Sequence, residues 1–158
     1  MIKIINKTQR IVMNMASPCN DAGHHLYFDN YYTSPAMIAD LAVKHFGACG
    51  TLCVNRKEVP QAMQKAKLKA GMDPVFVRQN DVLYISWFNK RQVNLATNLH
   101  DESMFTKELR GRITDHLRQV QKPVTIELYT RPSRPEAMEP PKLLQDKQVV
   151  VQDFFLRI

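Results

Sequence analysis

Gly23-His24-His25-Leu26-Tyr27-Phe28-Asp29-Asn30-Tyr31-Tyr32-Thr33-Ser34 is the stretch whose reading decides the fold. Leu26-Tyr27-Phe28 is short, apolar and aromatic, as a buried strand is, and Asp29 stands at its C-terminal end. A polar turn from Pro18 to Gly23 precedes the strand. Ser34 followed by Pro35 marks a helix start: the serine oxygen accepts from an otherwise unpartnered N–H, and proline at the first helical position has no N–H to leave unpaired. The helix is expected to run to about His45, with Met37, Ile38, Leu41 and Ala42 on one face and Gly47 as its left-handed stop. Ala48 to Val54 is a second strand candidate. The order strand, helix, strand predicts an α/β layer with parallel pairing.

Farther along, Asn55-Arg56-Lys57 ends this pattern, and Pro60 is read as opening a helix that carries Lys65, Lys67 and Lys69 and stops near Gly71. From Pro74 the pattern becomes β. Val75-Phe76-Val77, Val82 to Trp87 and Gln92 to Thr97 are separated by the turn-like Gln79-Asn80-Asp81 and Asn89-Lys90-Arg91, which predicts a three-stranded antiparallel meander. Leu109, Ile113, Leu117 and Val120 recur at helical spacing and predict a helix, although Gly111 lies within it. Pro123 starts a further helix through about Tyr129. Arg131 to Pro141, rich in Pro, Arg and Glu, is expected to be extended or disordered.

At 158 residues and 44% apolar composition, the chain suffices for one modest domain with a core but is short for a complete multidomain enzyme. Neither an apolar run of about 18 residues nor a leader-like N-terminus is present, so the expectation is a soluble, intracellular protein without a membrane partner. Cys19, Cys49 and Cys53 form no disulfide framework, which fits free thiols in a reducing compartment. The net charge of +7 is concentrated: residues 51–91 hold eight Lys/Arg against three Asp/Glu. A cluster of this kind favours a polyanionic partner, because Lys and Arg displace counterions condensed on a phosphate backbone; a solvated basic face is the plain alternative.

Four ordered blocks, spanning roughly residues 10–130, together resemble the piggyBac transposase family. The first is the opening run, a strand ending in Asp29-Asn30 and followed by two aromatics and Thr33-Ser34. The second is Gly50-Thr51-Leu52 with Asn55-Arg56-Lys57 and Pro60; the third runs from Trp87 to Thr97; the fourth is Lys122-Pro123 to Tyr129. The resemblance implies an α/β fold, a partial ribonuclease H-like catalytic core interrupted by a β-rich insertion domain. The implied organisation is core at 1–53, basic insertion domain at 54–121, a remnant core helix at 122–131 and a divergent Pro-rich, disordered tail at 132–158.

The implied ancestral chemistry is metal-dependent DNA cleavage and strand transfer, in which three aspartates gather two Mg²⁺ or Mn²⁺ ions. Hard divalent ions demand carboxylate oxygens, and a pair of them activates the attacking oxygen and stabilises the leaving one. Asp29 matches the second of those aspartates and is the candidate catalytic and metal-ligating residue; capping of the turn before the helix is its structural alternative. The other two have no counterpart: only 28 residues precede Asp29, and Tyr129 is followed by Thr130-Arg131-Pro132 instead of the family's Asp-bearing block. One carboxylate does not offset the mutual repulsion and dehydration of two ions, so the chain alone is expected to be catalytically inactive. Cys53 stands where the family usually has Arg, and Asn89 where it often has Asp.

Arg56, Lys57, Lys90 and Arg91 are the candidate DNA-binding residues, with Trp87 or Phe88 as a stacking surface and core packing as the alternative for Trp87. DNA is the expected partner, together with a second copy or an intact transposase; no small-molecule substrate is implied. Nuclear residence follows from the resemblance alone. A domesticated, non-catalytic DNA-binding or interaction module and a decayed transposon copy are the rival readings. His45, Cys49 and Cys53 do not have the spacing of a zinc knuckle, and His24-His25 have no nucleophile placed with them, so His45 is expected to help end a helix, Cys49 and Cys53 to share one face of a strand, and His24-His25 to lie in a loop. Met13, Met15 and Met37 are read as core filler.

Overall fold

The computed structural model describes residues 7–19, 24–110, 117–130 and 148–150. Helix α1 (Lys7–Ala16), which no motif announced, runs into a short 3-10 turn at Ser17–Cys19 and buries Val12 and Ala16. Strand β1 (His25–Phe28), helix α2 (Pro35–Val43) and strand β2 (Gly47–Thr51) follow, as the opening stretch predicts, and β1 pairs with β2 in parallel. Ser34 caps α2 by accepting the Met37 N–H at 3.2 Å, with Pro35 in the first turn, and Met37, Ile38 and Leu41 are fully buried.

The stop of α2 differs from expectation. His45, not Gly47, takes the left-handed conformation, with φ 60°. The His45 N–H reaches the Ala42 carbonyl and the Phe46 N–H the Leu41 carbonyl, both at 3.0 Å, which satisfies two of the last helical carbonyls. Gly47 is thereby free to begin β2. That strand ends at Thr51, short of the predicted Val54, and leaves Cys53 exposed beyond it.

Helix α3 (Gln61–Lys65) is also shorter than predicted, so Lys67 and Lys69 lie outside it. The cause is tertiary. Gln92 donates to the Ala66 carbonyl at 2.8 Å and accepts the Leu68 N–H at 3.0 Å, which holds the chain after the helix in extended form. Strands β3 (Val75–Gln79), β4 (Val82–Phe88) and β5 (Gln92–Thr97) form the predicted antiparallel meander, turning at Asn80 with φ 53°. Asparagine tolerates that conformation better than most residues.

The predicted helix over Leu109–Val120 is instead a hairpin. Strands β6 (Met104–Arg110) and β7 (Leu117–Pro123) pair antiparallel, from Met104↔Pro123 to Arg110↔Leu117; Gly111 and Ile113 lie outside the described residues. Thr106, Glu108, Gln119 and Gln121 are exposed while Phe105, Lys107, Val120 and Lys122 are half-buried, an alternation with period two that outweighs the four apolar residues spaced like a helix. Helix α4 (Val124–Thr130) then starts directly after Pro123 as predicted, its first N–H held by the Ser103 carbonyl at 2.9 Å.

Strand β8 (Gln148–Val150) lies parallel to β1, in the tail for which disorder is expected. The sequence there is Gln148-Val149-Val150, whose β-branched pair suits a strand once a sheet edge offers hydrogen-bond partners. The rest of 132–158 lies outside the described residues. The resulting mixed sheet has the order β3-β4-β5-β2-β1-β8, with β6 and β7 as a separate two-stranded sheet. Antiparallel pairing of β2 with β5, Cys49 opposite Thr97 and Thr51 opposite Leu95, joins the first strands to the meander. The boundary read between residues 53 and 54 therefore falls inside one continuous sheet.

One face of that sheet, with Leu26, Phe28, Ala48, Val82, Tyr84 and Ala96, packs against α1, α2 and α3 through Val12, Met37, Ile38, Leu41 and Met63. The opposite face presents Leu83, Ile85, Trp87 and Leu95 to Ile126 of α4, with Val120 and Tyr129 at the margin. Among the described residues no helix is long and apolar enough to cross a membrane.

Candidate functional site

Asp29 leaves the C-terminal end of β1 with its side chain exposed. One carboxylate oxygen, Oδ1, accepts the Tyr31 N–H at 3.0 Å. The Asp29 carbonyl accepts both the Thr33 N–H at 3.1 Å and the Thr33 hydroxyl at 2.7 Å, which closes residues 29–33 into a tight turn ahead of α2. The capping role weighed for Asp29 is thus real.

Three distant parts of the chain grip this turn through its backbone. Arg56 donates from Nη2 to the Asn30 and Tyr31 carbonyls, each at 2.9 Å. Tyr129 donates its hydroxyl to the Phe28 carbonyl at 2.7 Å, with Thr51 Oγ1 3.5 Å away. Gly50 sits opposite Phe28 in the parallel pair, and a Cβ there would stand 2.1 Å from Thr33 Oγ1 and 3.1 Å from the Phe28 carbonyl oxygen, so only hydrogen fits. Glu58 adds a second cap to α2 by accepting the Ala36 N–H at 3.2 Å. The blocks around Gly50, Arg56 and Tyr129, separated in sequence, are therefore the supports of one turn.

Strand register places the basic candidates at the same end of the sheet. β1 and β2 are parallel, so Asp29 and Thr51 leave from one end; Thr51 lies opposite Leu95 of the antiparallel β5, whose start is that same end. The β4–β5 turn, with exposed Lys90 and Arg91, closes there, between Phe88 and Gln92. Lys57 is exposed in the turn that carries Arg56.

Between this end and the β6–β7 hairpin lies a cleft of ≈ 370 Å³, lined by Lys90, Arg91, Lys107, Lys122, Trp87 and Tyr129, among others. Trp87 is 6% exposed and donates from its indole to the Gln121 carbonyl at 3.2 Å, so it is a wall of the core that shows an edge to the cleft. Lys122 Nζ lies 5.9 Å from the centre of its ring. Glu127 binds Lys107 at 2.8 Å and Lys122 at 2.6 Å. Burial pushes the Glu127 carboxyl up, but hydrogen bonds from the two lysines and their charges outweigh it and hold the group down at about 2.

Of the residues singled out from sequence, the fold brings Asp29 and Arg56 into one assembly and sets Lys90 and Arg91 on an adjoining cleft. Lys107 and Glu127 escaped the sequence reading. Lys122 and Glu127 lie five residues apart across the Pro123 helix start and were legible as a charge pair, whereas Lys107 reaches Glu127 only because the hairpin forms. Cys49 is fully buried, with its thiol pushed up to about 12 by desolvation, and Cys53 is exposed, so the two share no site. His45 ends α2, and His25 is buried at the other end of β1.

The sequence pattern of the family described as Transposase IS4 matches residues 4–152. The chain belongs to the Transposase IS4 family. In fold, this Transposase IS4 chain is similar to a piggyBac transposase whose cryo-EM structure is a synaptic complex with hairpin DNA. The TM-score is 0.61 at 17% identity, over 82% of this chain and 25% of that one. The Transposase IS4 chain thus spans about a quarter of the length of that solved relative. The pattern and the fold together support a piggyBac-type, transposase-derived protein. Transposases of this family depend in general on divalent metal ions. Among the described residues no three His, Cys, Asp or Glu side chains gather for a metal ion, so the donors of those residues do not fit a two-metal centre, and Asp29 is a single carboxylate engaged at Oδ1.

Proposed function

We propose that this transposase-derived chain binds duplex DNA at the end of the sheet that carries Asp29, and does not by itself cut or join DNA. The observation that carries the reading is the coincidence, at one sheet end, of exposed Asp29 with exposed Lys57, Lys90 and Arg91 beside a cationic cleft. Cations spaced along a rim follow a phosphate backbone, and phosphate contacts position a duplex without reading its sequence. Arg56 contributes differently: its Nη2 is spent on the Asn30 and Tyr31 carbonyls, so it positions the Asp29 turn, and Lys57 is the exposed cation of that pair.

The ancestral activity in this reading is Mg²⁺- or Mn²⁺-dependent DNA cleavage and strand transfer on a ribonuclease H-like core with a β-rich insertion. Asp29 is its surviving carboxylate. Further carboxylates, from a second copy or an intact transposase, are required for the metal chemistry, and the working compartment is the nucleus.

Titration with a labelled duplex of generic sequence tests this. Binding is expected to weaken with salt, with a slope of log K against log salt that becomes shallower by about 2 when Lys90 and Arg91 are both replaced by Ala. Absence of binding at low salt would exclude the DNA reading. Mg²⁺-dependent nicking by the purified chain that disappears in Asp29→Ala would overturn the claim of inactivity.

A further inference from the structure

We propose that Glu127 is a built-in counter-anion of the cationic cleft, occupying the place of a backbone phosphate and limiting how many of the cleft's lysines a nucleic acid can engage. The inference rests on the DNA reading above and specifies which charges of that site are available.

The geometry is that of an anion clasped by two cations. The two carboxylate oxygens of Glu127 receive Lys107 Nζ at 2.8 and 3.1 Å and Lys122 Nζ at 2.6 Å. The lysines come from β6 and β7 and the acid from α4, so the clasp ties helix to hairpin. Their side chains are not equally sheltered. Lys107 is 36% exposed and Lys122 13%, with Glu127 at 17%, so the clasp is only partly sheltered, beside the cleft that Lys107 and Lys122 line. Two lysines that share one carboxylate keep a single net positive charge between them, whereas Lys90 and Arg91, on the β4–β5 turn lining the same cleft, are exposed. A phosphodiester oxygen has the same charge and acceptor chemistry as the carboxylate and competes for the same ammonium groups. Retaining Glu127 keeps the net charge of these five residues at +3, one of the four positive charges being offset in a three-body clasp.

Removing the charge while keeping the shape tests the proposal. Glu127→Gln retains an acceptor for one lysine but no longer neutralises either. Titrated with a generic labelled duplex, the variant is expected to bind more tightly at low salt than the wild type. Its slope of log K against log salt should steepen by about 1 to 2, as one or both lysines gain a phosphate. Adding Lys107→Met and Lys122→Met to the variant should return the slope to the wild-type value, which a general loosening of the fold would not do. Affinity and slope unchanged or reduced in Glu127→Gln, with a native near-UV circular dichroism spectrum, overturn the proposal. That result beside wild-type binding that depends on Lys90 and Arg91 sinks this inference alone; failure of both proteins to bind sinks the DNA reading with it. Should Glu127→Gln not fold, Glu127→Asp, one methylene shorter, must show a smaller change of the same sign, and no change overturns the proposal.

Discussion

The two ends of β1 treat charge in opposite ways. At its C-terminal end, Arg56 and Tyr129 take up backbone carbonyls, and the ionisable side chains Asp29, Lys57, Lys90 and Arg91 stay exposed. At its N-terminal end the capping is done by short-range polar side chains. Asn98 accepts the Ala48 N–H at 2.6 Å and donates to the Phe46 carbonyl at 2.9 Å, and Thr97 donates to the Ala48 carbonyl at 2.9 Å. Here two histidines, His25 and His100, are largely taken out of water. His25 is 8% exposed, and desolvation, with a smaller push from His25, lowers His100 to about 4 against a weaker opposing pull from Asp101. One end can present cations to a polyanion, and at the other desolvation disfavours the charged form of His100.

The sharpest way to break this comparison is at Gly50. Gly50→Ala drives a methyl group into Thr33, the residue that closes the Asp29 turn, and urea unfolding should show a loss of about 3 kcal/mol. A loss confined to a few tenths would mean that the turn is not held as described. At the opposite end, Asn98→Ala strands a buried N–H and a carbonyl together and should cost about 2 kcal/mol in the same assay.

A pH series separates the ends further. His100 is depressed in the folded state, so its neutral form is the one that folding favours. Its contribution is fully present above the unfolded value near 6.5 and is lost as pH falls toward about 4. Unfolding midpoints should therefore drop between pH 6.5 and 4, less steeply in His100→Gln than in the wild type; parallel curves would remove His100 from the account. Smaller effects come from the tethers. Tyr129→Phe deletes one hydrogen bond to the Phe28 carbonyl, at about 1 kcal/mol, and amide exchange should quicken at Tyr31 and Thr33 more than at Leu99. His45→Gly relieves a left-handed histidine and should raise stability by about 0.5–1 kcal/mol, read as a higher thermal midpoint.

Much of the strand and helix order could be read from local chemistry. Ser34-Pro35 carries its own helix-start chemistry, and the β-branched and aromatic run at Val82–Trp87 and the alternating one at Gln92–Thr97 select strands. The errors share a cause. Leu109, Ile113, Leu117 and Val120 satisfy a helical period by spacing alone, and only pairing of β6 with β7 shows that the exposed glutamines mark a period of two. The helix after Pro60 stops early because Gln92, 26 residues away, captures its next carbonyl. Local periodicity contains neither contact.

The candidate site divides along the same line. The ordered blocks around Asp29, Gly50, Arg56 and Tyr129 identified a transposase lineage, and the count of basic residues in 51–91 pointed to a polyanion. Their physical purposes were not legible. That Arg56 and Tyr129 hold carbonyls, that Gly50 leaves room for a threonine, and that Glu127 sits between two lysines depend on distances between segments up to 101 residues apart. The sequence by itself determined residue chemistry, local turns and lineage, because these depend on neighbours along the chain. Which charges are exposed, which are clasped and which are desolvated was decided by tertiary structure alone, because solvation and Coulomb interaction depend on distance in space.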